Sequence, residues 1–209
     1  MYKDRQAAGQ GLSDCLKSLK LSGPLVLGIP RGGVVVGEQV ALELKADLDI
    51  VIAKKIGAPF NPEFAVAAVD QDGYVTLSPG DRTYASPGYI EETARIVTQE
   101  IAERLAFFRQ GRKAREVAGR DVVVVDDGLA TGLTALAAIR YVRRLKPGKL
   151  VLAVPVSPEE TLSAIDKFAD EVVCPLKPSP FYAVGQWYDV FDQVTDEAVR
   201  EILSTFQSQ

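Results

Sequence analysis

The stretch that most constrains the fold of this chain runs from Asp121 to Thr134 and reads DVVVVDDGLATGLT. Its run of valines is β-branched and too short for a helix, so it predicts a strand buried on both faces of a sheet. Two acidic residues, Asp126 and Asp127, follow where that strand must end, and a loop then leads into a helix with apolar spacing. The pattern predicts a ligand site at the carboxyl end of a parallel strand.

The loop from Gly128 to Thr134 has the composition of a phosphate site. Glycines let backbone N–H groups approach a ligand closely, the hydroxyls of Thr131 and Thr134 add donors, and the N-terminus of the following helix carries partial positive charge. The two aspartates repel a phosphate, but they can accept hydrogen bonds from vicinal sugar hydroxyls or help to hold a magnesium ion. A sugar phosphate with free hydroxyls satisfies both halves of the motif.

Spacing excludes two commoner nucleotide motifs. Leu133 stands five residues after Gly128 and the loop contains no lysine, so the loop is not a GxxxxGK[ST] phosphate loop. Gly128 and Gly132 are four residues apart, which excludes the GxGxxG dinucleotide fingerprint. The valine run with its two acidic residues could also be a Walker B strand, but the chain lacks the phosphate loop that accompanies one. The remaining alternative is a tight strand-to-helix turn in which the two acidic residues have no function.

The segment VVVVDDGLATGLT resembles the signature with which type I phosphoribosyltransferases bind phosphoribosyl pyrophosphate (PRPP). The resemblance implies that Asp126 and Asp127 hold the ribose hydroxyls of PRPP and, indirectly, a magnesium ion. Many members have a second glycine or a lysine where this chain has Leu133, a departure that leaves the backbone cradle intact. The resemblance implies binding of the 5-phosphate by Gly128, Ala130, Thr131, Gly132, Leu133 and Thr134.

A second strand-loop-helix unit lies earlier in the chain. Pro24 to Ile29 predicts a core strand, and the loop sequence PRGG and a helix follow it. Since both units share one polarity, their loops should open on the same edge of a parallel sheet, although an ordinary glycine-rich turn is the alternative. The resemblance implies that this loop binds pyrophosphate through Arg31, Gly32 and Gly33, with Arg31 also a catalytic candidate.

The next predicted strand, Leu48 to Ile56, contains two adjacent lysines, Lys54 and Lys55. Adjacent strand residues point to opposite faces, so at most one of the two reaches a given site directly. Two solvated surface lysines are an equally open interpretation. We favour a catalytic role for one of them, because a departing pyrophosphate carries several negative charges that ammonium groups stabilise.

Three further segments complete the predicted architecture. Residues 78–88 are rich in proline, glycine and polar residues and predict a mobile loop, which the resemblance implies closes over the site. Tyr89 to Gln110 predicts a long helix whose apolar stripe packs on the sheet or forms a subunit interface. The segment from Tyr2 to Leu21 predicts a surface helix. We also expect a homo-oligomer, specifically a dimer.

An aromatic segment near the C-terminus, residues 177–189, reads KPSPFYAVGQWYD. Its aromatic side chains can stack on a flat ring or can cap the C-terminal core, and both alternatives stay open. In the family that the chain resembles, this is where a variable hood often meets the base. The resemblance therefore makes Phe181, Trp187 and Tyr188 candidates for binding the acceptor.

Composition narrows the function. The 209 residues and 47% apolar content predict one domain, 1–209, with a core over about 24–175 and a C-terminal hood over about 176–209. The chain has no histidine, which excludes a histidine base and the Ser-His-Asp hydrolases, and its net charge of −4 does not suggest a nucleic-acid partner.

Cys15 and Cys174 fit a reducing cytoplasm and two buried thiols. No stretch approaches the ~20 apolar residues of a membrane span, so we expect a cytoplasmic protein without a membrane partner.

The order of elements predicts an α/β protein with a mainly parallel sheet flanked by helices and a small hood segment. The resemblance implies an enzyme of nucleotide metabolism that uses PRPP and Mg²⁺ to transfer a phosphoribosyl group to a small-molecule acceptor, with a nucleobase as first candidate. Two alternatives stay open: a non-catalytic PRPP-binding regulator, for which no basic DNA-binding module is visible, and a sugar-phosphate hydrolase with Asp126 as base.

Overall fold

The computed structural model describes residues 1–78 and 84–206. In chain order the strands are β1 (Leu25–Gly28), β2 (Asp47–Ile50), β3 (Ala53–Ala58), β4 (Asn61–Asp70), β5 (Val75–Leu77), β6 (Asp121–Val125), β7 (Lys149–Ala153) and β8 (Glu171–Val173). The α-helices are α1 (Arg5–Lys17), α2 (Gly32–Leu44), α3 (Pro87–Arg109), α4 (Leu133–Arg144), α5 (Glu159–Ile165) and α6 (Asp196–Thr205).

The main sheet is parallel and, in the part of the chain that the structure describes, has five strands in the order β2-β1-β6-β7-β8. The central strand is β6, which pairs with β1 so that Gly28 lies opposite Val125. Both strands therefore end at the same edge, and the loops after them are neighbours, as the shared polarity predicts. The strand predicted for the valine run is confirmed as β6, and its predicted burial is confirmed because these valines are fully buried.

Alternate residues of the strands divide the core between two faces of the sheet. Val123 and Val125 pack with α1, α2, α3 and α6 on one face, whereas Val122 and Val124 pack with α4 and α5 on the other. A parallel strand covered by helices on both faces needs apolar residues at every position, which explains the uninterrupted valine run. The predicted fold class, an α/β protein with a mainly parallel sheet flanked by helices, is confirmed.

The single strand predicted over Leu48 to Ile56 is wrong. β2 ends at Ile50, and β3 starts at Ala53 in a second, antiparallel sheet with the order β3-β4-β5. The residues between the two strands are apolar and buried like the strands themselves, so no turn residue marks the change of sheet. A turn at residues 71 and 72 joins the antiparallel strands β4 and β5.

The long helix predicted over Tyr89 to Gln110 is present as α3. Ser86 caps it by accepting a hydrogen bond from the Tyr89 N–H at 3.2 Å, with Pro87 as the first helical residue. Its apolar stripe, which includes Ile101 and Phe108, is buried in the core. The loop predicted over 78–88 falls in part on residues 79–83, which lie outside the described residues.

The first residues of the chain and the segment before α6 meet at the carboxyl edge of the main sheet. The Tyr2 N–H donates to the Trp187 carbonyl at 2.8 Å, and the Asp189 N–H donates to the Tyr2 carbonyl at 2.9 Å. Tyr2 and Trp187 pack together with Val156, which follows β7. The start of the chain and the segment before α6 therefore form one layer beside the loops that follow β1 and β6.

The prediction of two buried thiols is wrong. Cys15 is exposed on α1, because it lies just outside the buried stripe formed by Leu12 and Leu16. Cys174 is half-buried, and burial raises the pKa of its thiol to about 11. Within residues 1–78 and 84–206, no helix has both the length and the apolar composition needed to cross a membrane.

Candidate active site

Two carboxylates meet at the end of β6. Asp126 Oδ1 accepts a hydrogen bond from the Asp127 N–H at 2.9 Å, and Asp127 Oδ2 accepts one from Arg5 Nε at 2.7 Å. Among the described residues, nothing donates to Asp126 Oδ2 or to Asp127 Oδ1. Each carboxylate thus keeps one oxygen for a ligand.

The protonation of this pair is strongly perturbed. Burial, and next the charge of Asp127, raise the pKa of Asp126 well above its usual range. Burial also raises the pKa of Asp127, whereas the hydrogen bond and charge of Arg5 oppose that rise. A pair of close, partly buried carboxylates in a cleft favours ligands that bring hydroxyl donors or positive charge.

The loop after β6 is supported by residues of α5. Gly132 has a φ of +70°, and a Cβ there would lie 2.6 Å from Ile165 Cδ1 and 2.7 Å from Thr161 Cγ2. The Thr161 hydroxyl donates to the Ala130 carbonyl at 2.7 Å. This support from α5 holds the loop at the point where α4 begins, so the free N–H groups of the first turn of α4 adjoin the loop.

The loop after β1 lies directly against the aspartates. A Cβ at Gly32, the first residue of α2, would overlap Asp127 Oδ2 and lie 2.8 Å from Arg5 Nε. A Cβ at Gly33 would lie 2.6 Å from the Val125 carbonyl oxygen. Only glycines allow the two loops to approach this closely. Arg31 borders the same space, with its Nη1 3.7 Å from Asp196 Oδ1 of α6.

A cavity of about 520 Å³ lies between these loops. Among the described residues, its lining includes residues of both loops that were predicted to bind PRPP, together with residues of α1 and of the segment before α6. Those from the loops are Arg31, Gly32, Asp126, Asp127 and Thr134, and those near the chain ends include Arg5, Phe191 and Asp192. The structure therefore brings both predicted ribose residues, two of the three predicted pyrophosphate residues and one residue predicted for the 5-phosphate around one space, whereas Gly33 is not part of the lining.

The sequence model of the family described as phosphoribosyl transferase domain matches residues 2–186, which include both glycine loops and the aspartate pair. The chain belongs to the phosphoribosyl transferase family. The resemblance found in the DVVVVDDGLATGLT segment is thereby confirmed at the level of the family.

Several relatives show how far this similarity reaches. A Mycobacterium tuberculosis protein (strain ATCC 25618 / H37Rv) named "Putative phosphoribosyl transferase" is 40% identical over 201 residues, which make up 95% of this chain and 45% of that protein. The chain thus spans about half the length of the curated relatives it matches. The crystal structure of TT1426 from Thermus thermophilus is similar with a TM-score of 0.85, 42% identity and 98% coverage of each chain. The structure of AQ2163 from Aquifex aeolicus, at 14% identity, a TM-score of 0.50 and coverage of 83% and 72%, shares the fold alone.

The two lysines of this phosphoribosyl transferase domain point in different directions. Lys54 pairs with Glu100 on α3 and is not brought to the aspartates. The charge of Lys55 opposes the rise in the pKa of Asp126, and Lys55 borders a groove of about 570 Å³ whose lining includes Thr131 and Gly132. Of the two lysines predicted as catalytic candidates, the structure therefore places only Lys55 beside the loop after β6.

The aromatic residues predicted to bind an acceptor are not part of the described cavity lining. Phe181 and Trp187 stack on each other, with ring centres 6.2 Å apart and an angle of 23° between the rings. Tyr188 is buried, and its hydroxyl donates to the Asp127 carbonyl at 2.6 Å. Burial raises the pKa of Tyr188, so its hydroxyl stays protonated and supports Asp127 from behind.

Arg5 and Phe191 line the cavity, and the sequence predicted a site role for neither of them. The guanidinium of Arg5 lies 3.8 Å from the ring centre of Phe191 and donates to the Asp192 carbonyl at 2.8 Å. A single arginine at the start of an amphipathic helix carries no signal of this role. For Phe191, the one sequence signal of a role in the site was its position just after the aromatic segment.

Tyr188→Phe is expected to lower the free energy of unfolding by about 1 kcal/mol, because it removes one hydrogen bond from a buried hydroxyl to a backbone carbonyl. Urea denaturation followed by circular dichroism measures the change. Tyr182→Phe is the matched control, since Tyr182 is 82% exposed. An equal effect of the two substitutions would contradict a structural role for the Tyr188 hydroxyl.

Proposed function

We propose that this domain transfers the phosphoribosyl group of PRPP to a small-molecule acceptor, using Mg²⁺ and releasing pyrophosphate. The observation that supports this most strongly is the cavity between the two loops. There, two carboxylates with one available oxygen each adjoin the first turns of two helices, α2 and α4. A ribose diol suits the carboxylates, and phosphate groups suit the helix N-termini on either side.

Each part of the site has a proposed role. Asp126 Oδ2 and Asp127 Oδ1 accept hydrogen bonds from the ribose hydroxyls. Thr134 and the backbone of residues 128–133 bind the 5-phosphate, with the start of α4. The backbone of Gly32 and Gly33 binds the pyrophosphate, and Arg31 lies beside it, with its Nη1 3.7 Å from Asp196 Oδ1. Lys55 adds a positive charge near Asp126.

The donor set suits a magnesium ion that the substrate shares. No group of three or more cysteine, aspartate and glutamate side chains that could hold a metal by themselves occurs among residues 1–78 and 84–206. Mg²⁺ prefers oxygen ligands, keeps several waters and commonly binds through one or two carboxylates together with phosphates, which fits Asp126 and Asp127. When bound, the ion would neutralise charge on the pyrophosphate.

The chain's own contribution to the reaction is positioning and electrostatics. As the bond from C1 of the ribose to pyrophosphate breaks, the ring oxygen stabilises positive character at C1. The loops fix the ribose and the phosphates, and the cations near them stabilise the departing charge. None of these roles requires histidine, which the chain lacks.

The acceptor is proposed to be a nucleobase that enters beside Phe191. This ring is 36% exposed and borders the cavity that holds the aspartates. The first experiment is calorimetric titration with PRPP and Mg²⁺, followed by a screen of nucleobases and amines for pyrophosphate release. Binding without release for any acceptor would support a PRPP-binding regulator instead, and absence of PRPP binding would contradict both. The dimer and the cytoplasmic location stay predictions.

A comparison of two sugar phosphates tests the aspartate pair directly. Ribose 5-phosphate is expected to compete with PRPP about tenfold better than 2-deoxyribose 5-phosphate, since a hydrogen bond to a charged group contributes roughly 1.5–3 kcal/mol. Competition calorimetry measures the ratio. Equal competition would remove the ribose 2-hydroxyl as a partner of Asp126 and Asp127.

Lys55→Ala is expected to weaken binding of magnesium pyrophosphate by about tenfold, which corresponds to roughly 1.4 kcal/mol. Lys54→Ala is the matched control, because Lys54 is adjacent to Lys55 in the sequence but its ammonium group pairs with Glu100. Calorimetric titration of both variants with inorganic pyrophosphate in the presence of Mg²⁺ measures the difference. Equal weakening by the two substitutions would contradict the assignment of Lys55 alone to the site.

A further inference from the structure

Arg5 is held on three sides at the edge of the cavity. Its Nε donates to Asp127 Oδ2 at 2.7 Å, its Nη1 donates to the Asp192 carbonyl at 2.8 Å, and its guanidinium lies over the ring of Phe191. The side chain is only 12% exposed. Arg5 is also the first residue of α1, which Asp4 caps, so its backbone is fixed as well. A long side chain is thus immobilised at both of its ends.

The form of the contact with Asp127 is informative. An arginine that simply neutralises a carboxylate commonly takes both oxygens with two parallel N–H groups. Here Nε takes one oxygen, while Nη1 is directed to the Asp192 carbonyl. The second oxygen of Asp127 receives no hydrogen bond from any residue in the described part of the chain. Arg5 therefore restrains the carboxylate without occupying it fully.

The neighbouring loop is built around this pair. Gly32 faces both partners, because a Cβ there would overlap Asp127 Oδ2 and lie 2.8 Å from Arg5 Nε. From behind, the Tyr188 hydroxyl holds the Asp127 carbonyl. The Asp127 side chain is thus restrained by Arg5 and its backbone by Tyr188, that is, by residues from both ends of the chain.

We propose that Arg5 is a positioning residue for PRPP: by holding Oδ2 of Asp127, it presents Oδ1 to a ribose hydroxyl. The inference rests on the proposed function, since it concerns the same ribose site. It also means that the ribose site is complete only when α1 and the segment around Phe191 and Asp192 are both in place. The opposite possibility is that Arg5 blocks Asp127 and must leave before PRPP binds.

Calorimetric titration of Arg5→Ala with PRPP and Mg²⁺ tests the proposal. The variant is expected to bind PRPP about tenfold more weakly than the wild type, equivalent to roughly 1.4 kcal/mol. Its affinity for inorganic pyrophosphate, which has no ribose, is expected to stay unchanged. Guanidinium chloride at a low, non-denaturing concentration should restore part of the PRPP affinity, and Arg5→Lys should retain more of it than Arg5→Ala.

Arg120→Ala is the matched control. Arg120 also pairs with a carboxylate, Asp47, at 2.8 Å and donates to the carbonyls of Gly23 and Pro24. These contacts lie at the opposite edge of the sheet, where β1, β2 and β6 begin. PRPP affinity is expected to be unaffected in this variant and insensitive to guanidinium.

The outcomes separate the proposal from the function on which it rests. Tighter or unchanged PRPP binding by Arg5→Ala, with a wild type that binds PRPP, would overturn the positioning role alone. Equal loss of PRPP and pyrophosphate binding, together with a lower melting temperature, would also overturn it and leave a structural role. A wild type that binds no PRPP would overturn the proposed function and this inference with it.

Discussion

Asp126→Asn is expected to weaken PRPP binding by about 10- to 100-fold, since a hydrogen bond to a charged group contributes roughly 1.5–3 kcal/mol. The same substitution should leave the protein at least as stable as the wild type at neutral pH. Asp126 is a poorly solvated carboxylate beside a second one, so its negative charge opposes folding. The site thus keeps a destabilising group that the proposed ligand requires.

The pH dependence of stability follows from the direction of this shift. Burial and the charge of Asp127 raise the pKa of Asp126 in the folded protein above its value of about 3.9 in an unfolded chain. As the pH rises, the unfolded chain loses this proton first. The contribution of Asp126 to stability is therefore fully present below the unfolded pKa and is lost as the pH rises through the folded pKa.

Urea denaturation from acidic to neutral pH measures this difference. Asp126→Asn should lose less stability than the wild type over that range, because the titrating group is gone. Asp170→Asn is a control of opposite sign, since the hydrogen bond from Arg143 lowers the pKa of Asp170. The stability from Asp170 is present above the unfolded pKa and is lost as the pH falls. A steeper loss at neutral pH in Asp126→Asn would contradict the assigned shift.

The part of the site that follows β1 and β6 could be predicted because each of its signals is local. The valine run of β6 and the residues after it fix a strand, its burial and the end of that strand. The shared polarity of two strand-loop-helix units then places Gly32 and Asp127 at one edge without any knowledge of the contacts between them. The close approach of the glycines to a ligand stays a prediction, and the structure shows that Gly32 and Gly132 also lie close to neighbouring protein segments.

The remaining part of the site could not be predicted, because it depends on contacts between distant segments. Arg5 and Asp127 are far apart in the sequence, and neither the helical pattern around Arg5 nor the loop around Asp127 indicates the pairing. The directions of Lys54 and Lys55 depend on the pairing of β3 with β4, which the apolar residues between β2 and β3 conceal. Trp187 has the features of a stacking residue, but its partner is Phe181 of the same segment.

Three elements that are distant in the sequence contact Asp127 and so limit which substitutions the ribose site tolerates. Asp127 is in contact with α1 through Arg5, with the C-terminal segment through Tyr188 and with α2 through Gly32. Any change that moves one of these three elements reaches the carboxylate directly. The smallest such change is a single methyl group at Gly32.

Gly32→Ala is expected to reduce PRPP affinity by about 100-fold or more, equivalent to roughly 2.7 kcal/mol. The added Cβ would overlap Asp127 Oδ2 and crowd Arg5 Nε, and both partners are anchored, so the pair must separate or α2 must shift. Separation leaves a buried charge unpaired, which typically costs roughly 3–5 kcal/mol. We therefore expect a lower free energy of unfolding together with the loss of PRPP binding.

Gly88→Ala is the matched control for this substitution. Gly88 lies in the first turn of α3, has no atom within 4 Å of an added Cβ, and is remote from the described cavity lining. An alanine in a helix there should be neutral or slightly stabilising, by up to about 1 kcal/mol. Calorimetric titration with PRPP and urea denaturation should therefore separate the two variants in both measurements. PRPP affinity within a few-fold of the wild type in Gly32→Ala would show that the two loops do not need their close approach, and the ribose site would have to be assigned elsewhere.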